Sequence, residues 1–241
     1  MSDCRDELEV LYEDNHLLAV NKPAMLPTMG VEEGRESLLT VAKEYVRQAY
    51  QKPGNVYLGI VSRLDAPVTG LVLIARTSKA AARLSESFRS RDVRKVYLAA
   101  VQGTPPAATG TLEHFLRKDE RHRKVHVTQA GAEGAQAARL HYRVMGSASG
   151  LTLLEVELDT GRKHQIRVQL AKIGCPIVGD RKYGATLEFP RGIALHSRQL
   201  ELEHPVRREP LTLTAPLPAS WRRSAPTSKL PLPAKEQGER H

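Results

Sequence analysis

The chain has 241 residues, 41% hydrophobic and 26% charged, a balance that suits a folded globular protein and excludes wholesale disorder. Its two cysteines, Cys4 and Cys175, provide neither a disulfide framework nor a C-x-x-C pair for zinc or an iron–sulfur cluster. Lys and Arg number 36 against 27 Asp and Glu; the net charge of +9 attracts polyanions through counterion release and makes nucleic acid a candidate partner.

Aromatic residues are only 5% of the chain and Trp221 is the sole tryptophan, so the core must be aliphatic. The longest apolar runs, such as residues 71–75, fall far short of the roughly 18 residues that a membrane-spanning helix needs. The opening MSDCRDELEV has no apolar segment of the signal-peptide kind, so the expected location is the cytoplasm.

Residues 8–13 (LEVLYE) and 16–21 (HLLAVN) flank Asp14-Asn15 and predict a hairpin, with Lys22-Pro23 closing the second run. Over residues 37–51, Leu38, Leu39, Val41, Ala42, Tyr45, Val46 and Ala49 recur every three or four positions. This predicts an amphipathic helix capped by Ser37 and stopped by Lys52-Pro53-Gly54. Residues 56–61 read as a strand, 71–75 as a buried strand, and 78–90 as a helix with Ala81, Leu84 and Phe88 on one side. A further strand spans 96–101, and the polar, basic residues 117–136 form a protruding hairpin or a mobile insert.

Strands resume at 138–145 and 151–158. Ile166, Leu170 and Ile173 then place a helix over 164–173 that ends at Gly174. Strands at 198–203 and 211–214 follow. Residues 1–222 are expected to form one domain, and 223–241, rich in Pro, Ser and basic residues and without apolar periodicity, a disordered tail. Many strands with few helices and no regular βαβ alternation give an α+β class with a largely antiparallel sheet.

The chain lacks a Walker loop, GxGxxG, HExxH and GxSxG, which takes weight from nucleotide hydrolysis, redox and zinc chemistry. Two polar segments next to apolar runs remain. In SRLDAPVTG (62–70), Asp65 sits at a strand end, and Arg63 would point to the same side of an extended backbone. The same residues also fit a plain Asx turn beside a surface arginine. In DTGRKHQIR (159–167), cations crowd a helix N-terminus against its dipole, which calls for phosphates or a buried carboxylate. A solvated basic turn is the plainer reading of that segment.

VSRLDAPVTGLVLIAR resembles the HRLDxxTSGxxxxA segment of the RluA-type pseudouridine synthases, and TGRKHQIRVQLAKIGCPIVGDRKYG is similar to their TGRxHQIRxHxxxxGxPIxGDxxYG segment. NKPAMLPT, RKVYLAAVQG and ALHSRQLELEHP resemble three further segments of the family in the same order, over about residues 10–220. The resemblance implies an α+β catalytic fold, a long bent antiparallel sheet with a central active-site cleft and flanking helices. It also implies isomerisation of uridine in ribosomal or transfer RNA without metal or organic cofactor.

By the same resemblance Asp65 is the catalytic aspartate, Tyr97 packs on the target base and Arg167 pairs with the aspartate. Arg63 opens the RNA around the flipped nucleotide, and Leu195 lines the base pocket. Lys22, Arg162, His164 and Gln165 complete the expected RNA-contacting set. RNA is the expected partner, with no membrane association, no N-terminal S4-type domain and a monomeric state. Ser62, Val68-Thr69, Ala24-Met25 and Gln169 depart from the family pattern. An RNA-binding assembly factor of the same fold, acting without turnover, is the alternative; an intact Asp65, Tyr97 and Arg167 favour the enzyme.

Overall fold

The apolar runs at residues 17–22 and 69–75 are strands whose side chains alternate between two separate cores. The fold comes from a computed structural model describing residues 8–30, 32 and 34–234. In chain order its elements are β1 (Val10–Glu13), β2 (Leu17–Lys22), α1 (Leu38–Ala49), β3 (Gly59–Ile60), β4 (Thr69–Ala75) and α2 (Ser78–Ser90). There follow β5 (Arg94–Gln102), β6 (Thr109–Asp119), β7 (Lys124–Thr128), β8 (Gln136–Ala148) and β9 (Leu151–Leu158). The last are α3 (Gln165–Lys172), β10 (Leu195–Glu203), β11 (Pro210–Thr214) and α4 (Ala219–Arg223). The described residues gather into two compact units, 8–93 with Ser197–Pro216, and Arg94–His196 with 217–234.

In the first unit the strand order is β1-β2-β4-β10, with β3 paired to β4 and β11 to β10. Antiparallel register puts Leu18 opposite Ile74 and Val20 opposite Val72. Leu17, Ala19, Leu71, Leu73 and Ala75 face one core with Ala80 and Leu84 of α2, while Leu18, Val20, Val72 and Ile74 face another with Leu38, Ala42 and Val46 of α1. A strand covered on both faces reads as a continuous apolar run, which is why β4 shows no polar alternation. Each helix begins where its cap dictates: Ser37 and Thr40 form a reciprocal capping box, and Thr77 accepts the Ala80 N–H.

Only Gly59 and Ile60 of the expected 56–61 strand pair with β4. Val56 and Leu58 instead bury their side chains in the α1-side core, so their backbone does not join the ladder. The β1–β2 turn is anchored from far along the chain. Asp14 accepts the His16 and Leu17 N–H groups and the side chains of His204 and Arg207. Burial opposes its ionisation, but these hydrogen bonds win and hold its carboxyl below the ordinary range.

The second unit orders its strands β5-β9-β8-β6-β7 in antiparallel ladders. Val168 of α3 packs with Leu116, Val125, Ala138 and Tyr183. Residues 117–128 resolve as the arms and tip of the β6–β7 hairpin, the first of the two expected forms. Disorder from residue 223 onward does not hold over 223–234. Ser224, Thr227 and Leu230 are buried, and Thr227 donates its hydroxyl to the Trp221 carbonyl at 2.6 Å. Pro231 packs on Gly146, where a Cβ would lie 2.5 Å from the proline ring. Long-range packing replaces the local periodicity that the sequence lacks. Residues 235–241 lie outside the described residues.

The two units share the α+β character expected from the sequence, helices packed on antiparallel strands. Among the described residues no helix is long and apolar enough to cross a membrane.

Candidate active site

Between β3 and β4 the chain has no ladder of its own, so its backbone groups must find partners elsewhere. Thr28 clamps the residue before Asp65: its hydroxyl donates to the Leu64 carbonyl at 2.9 Å and accepts the Leu64 N–H at 3.1 Å. The residue after it is held as firmly. The Ala66 carbonyl accepts the Met25 N–H at 2.7 Å and the Lys22 ammonium at 3.1 Å. Asp65 closes its own turn by accepting the Val68 N–H at 3.0 Å. The carboxylate is therefore carried half-buried between two pinned peptides, and Arg63 stands exposed two residues earlier. At the end of the loop Gly70 takes φ +109, and a Cβ there would lie 2.3 Å from the Ser197 carbonyl oxygen.

Lys22 is a correction to the expected RNA contacts. Its side chain is 0% exposed, and its ammonium also donates to the carbonyls of Pro23 and Leu26 at 2.8 Å each. Burial drives its pKa down to about 7, with the negative charge of Asp65 pulling upward against that shift. It is an internal strut of the Asp65 loop. Met25, where the family pattern has glycine, adopts φ +67 in order to aim its N–H at Ala66.

In the second unit, the turn into α3 is organised by Gln165. Its side-chain oxygen accepts the Thr160 hydroxyl at 2.7 Å and the Arg162 N–H at 3.0 Å, while its amide nitrogen donates to the Arg139 carbonyl at 3.0 Å. Gln165 is buried, so it braces the turn and does not reach RNA, a second correction. His164 sits at φ +54 with Nδ1 2.7 Å from the Tyr183 hydroxyl, and Arg162 is exposed with its Nε donating to the Ala137 carbonyl.

Arg167 points inward from the first turn of α3. It meets Asp180 with Nε to Oδ2 at 2.6 Å and Nη2 to Oδ1 at 2.9 Å, and its guanidinium lies 5.1 Å from the Tyr183 ring centroid. The sequence segment contains Asp180, but only the fold reveals its role; an acid following the apolar Ile177-Val178 pair was the available signal. Gln169, another departure from the family pattern, donates to the Leu112 and Ala138 carbonyls and ties α3 to β6 and β8. Tyr97 is half-buried on β5 opposite Val156, and Leu195 is buried at the start of β10. Among the described residues no group of three or more His, Cys, Asp or Glu is placed to hold a metal ion.

The family model of RNA pseudouridylate synthase matches residues 16–172. The chain is 36% identical over 229 residues to the ribosomal large subunit pseudouridine synthase D of Xylella fastidiosa, covering 88% of this chain and 66% of that protein. It is 34% identical over 222 residues to the uncharacterized RNA pseudouridine synthase YhcT of Bacillus subtilis, covering 90% and 70%. The chain thus spans about two thirds of the length of these relatives. Among solved structures, human RNA pseudouridylate synthase domain containing 4 superposes with a TM-score of 0.74 at 28% identity, over 87% of this chain and 88% of that one. The chain belongs to the RNA pseudouridylate synthase family, in its RluA-type branch.

Proposed function

We propose that the protein isomerises specific uridines in structured RNA to pseudouridine without a cofactor, with Asp65 as the reacting carboxylate. The observation that carries this reading is the Asp65 loop. Its flanking peptides are fixed by Thr28, Met25 and Lys22, so the carboxylate is held in position before substrate arrives. Preorganisation of this kind lowers a barrier by removing orientational freedom in advance.

The reaction breaks the bond from N1 to C1′, rotates the base and joins C5 to C1′; C5 gives up its proton and N1 gains one, so nothing is added overall. An ionised carboxylate serves it either as nucleophile at C1′ or as the base that takes a sugar proton. The uridine must first leave its stack, at a cost of a few kcal/mol. Stacking on Tyr97 and filling of the gap by exposed Arg63 offset that cost in this reading. Arg167 supplies positive charge, Leu195 an apolar wall and Arg162 and His164 contacts to the RNA. The name of the Xylella relative favours large-subunit ribosomal RNA over transfer RNA as the substrate.

The test is to map pseudouridines in total RNA from cells with and without the protein, then to restore missing sites with purified protein alone. Loss of defined sites and their restoration without added metal or cofactor is expected. Identical maps, with RNA binding intact, would favour the assembly-factor alternative.

A further inference from the structure

The segment that follows β2 is held at nearly every residue. The Lys22 ammonium donates to the Pro23 and Leu26 carbonyls at 2.8 Å each, and Leu26 packs against the α1-side core. The Pro27 and Thr28 carbonyls accept the Leu38 and Leu39 N–H groups at the start of α1, at 2.8 and 3.1 Å. Thr28 also clamps Leu64, and the Met25 N–H donates to the Ala66 carbonyl at 2.7 Å.

Within this frame the Met25 side chain is the exception. It is 58% exposed, and its backbone sits at φ +67, a shape that glycine adopts freely and other residues adopt at a cost. A single exposed apolar residue needs no explanation, but a strained one beside a reacting group does. Met29, four residues on, is 40% exposed, so two of the chain's four methionines stand uncovered in one short segment.

The place of Met25 sets its chemistry. Its bond to Ala66 fixes it one peptide away from Asp65, and exposed Arg63 lies two residues before Asp65. The carboxylate thus has a guanidinium ahead of it in the chain and a tethered thioether behind it. A thioether is polarisable, unbranched and favourable against an aromatic ring. When the target uridine leaves its stack, the neighbouring base loses the partner that covered its face. Apolar side chains, methionine among them, can be inserted where a base step is opened.

We propose that Met25 covers the bared face of the base next to the target uridine, keeping the gap open while the uridine is held out, and so favours uridines that lie within a stacked stem. Arg63 brings charge to the gap and Met25 an apolar contact. The inference deepens the uridine-isomerase reading and rests on it for the flipped uridine.

The test uses the full chain and a stem of large-subunit ribosomal RNA that the parent binds, centred on one uridine. The RNA is prepared in three forms: with the uridine paired, as that strand alone, and as the stem with an abasic nucleotide in place of the uridine. Pseudouridine formation is timed in single turnover with saturating enzyme. On the paired stem Met25→Gly and Met25→Gln should slow the reaction roughly tenfold, and Met25→Leu by no more than about threefold. On the single strand, which has no duplex stack to break, all three should stay within about twofold of the parent. The abasic stem presents the gap without any reaction. Met25→Gly and Met25→Gln should bind it roughly three- to tenfold more weakly, and Met25→Leu about as well as the parent.

Met25→Gly with the parent's rate on the paired stem and the parent's affinity for the abasic stem overturns the proposal. An equal loss of rate on the stem and on the single strand also overturns it, because the effect then lies in the Asp65 loop. Met25→Leu as impaired as Met25→Gln overturns the apolar contact. A parent that binds the stems but forms no pseudouridine in any RNA overturns the reaction reading instead, and the affinities for the abasic stem still decide Met25.

Discussion

Arg167 and Asp180 form a two-point clasp, Nε to Oδ2 at 2.6 Å and Nη2 to Oδ1 at 2.9 Å, with side-chain exposures of 7% and 2%. At that depth the value of the pair lies in its completeness, because removing one member strands the other charge at a cost of about 3–5 kcal/mol. Asp180→Ala and Arg167→Ala should each lower the unfolding free energy, measured in urea, by an amount in that range. Arg167→Lys should lower it less, since lysine keeps the charge and loses the fork. The double variant Arg167→Met/Asp180→Leu should cost less than the two single losses added together. An Asp180→Ala protein as stable as the parent would contradict the clasp.

Met25 holds a left-handed backbone, φ +67, with an exposed side chain. A non-glycine residue there carries a penalty of roughly 1–2 kcal/mol, part of which glycine returns through its freer unfolded chain. Met25→Gly should therefore be neutral or stabilising by up to about 1 kcal/mol. Met25→Val, β-branched at the same φ, should be destabilising. Chemical denaturation of both variants checks the sign, and a destabilised Met25→Gly would show that the side chain contributes more than the strain.

Lys22 links stability to pH. Burial lowers its folded pKa from 10.5 to about 7, so between those values the unfolded chain holds the extra proton. The contribution of Lys22 to stability is least below pH 7 and rises as pH climbs from 7 towards 10. Unfolding free energies of the parent and of Lys22→Met at pH 7 and pH 9.5 isolate this contribution. The parent should gain on the variant at the higher pH; a difference independent of pH would count against a depressed Lys22.

Residues 224–230 cover Trp221, itself edge-on to Phe189 at 5.9 Å between ring centroids. A chain ending at Arg222 should melt several degrees lower than one ending at Ala234. Equal melting of the two truncations would mean that the packing of Thr227 and Leu230 adds nothing.

Where a local pattern dictates structure, the sequence was readable. The three-and-four spacing after Ser37 and Thr77 marks α1 and α2 to within two residues, and the apolar run at 71–75 marks a strand covered on both faces. The loop around Asp65 is legible as a turn at a strand end from Pro67 and Gly70. What could not be read were partnerships between distant positions. Nothing near Lys22 announces that its ammonium ends on the Ala66 carbonyl, 44 residues away, and nothing near Asp180 announces Arg167. For the same reason Gln165, polar and set among cations, reads locally as an RNA contact, whereas its three hydrogen bonds turn inward. Leu230 lacks helical or strand periodicity because it packs as a single anchor.

The claim that Asp65 performs the chemistry is tested most directly by Asp65→Asn, assayed for pseudouridine formation on the same RNA that it is shown to bind. The substitution keeps the shape of the side chain and the backbone clamps on Leu64 and Ala66, and it removes the negative charge. Removing one anion near phosphates should leave RNA affinity within a few-fold of the parent. The expected result is RNA binding with no pseudouridine at any site the parent modifies. Pseudouridine formed by Asp65→Asn at those sites would contradict the account.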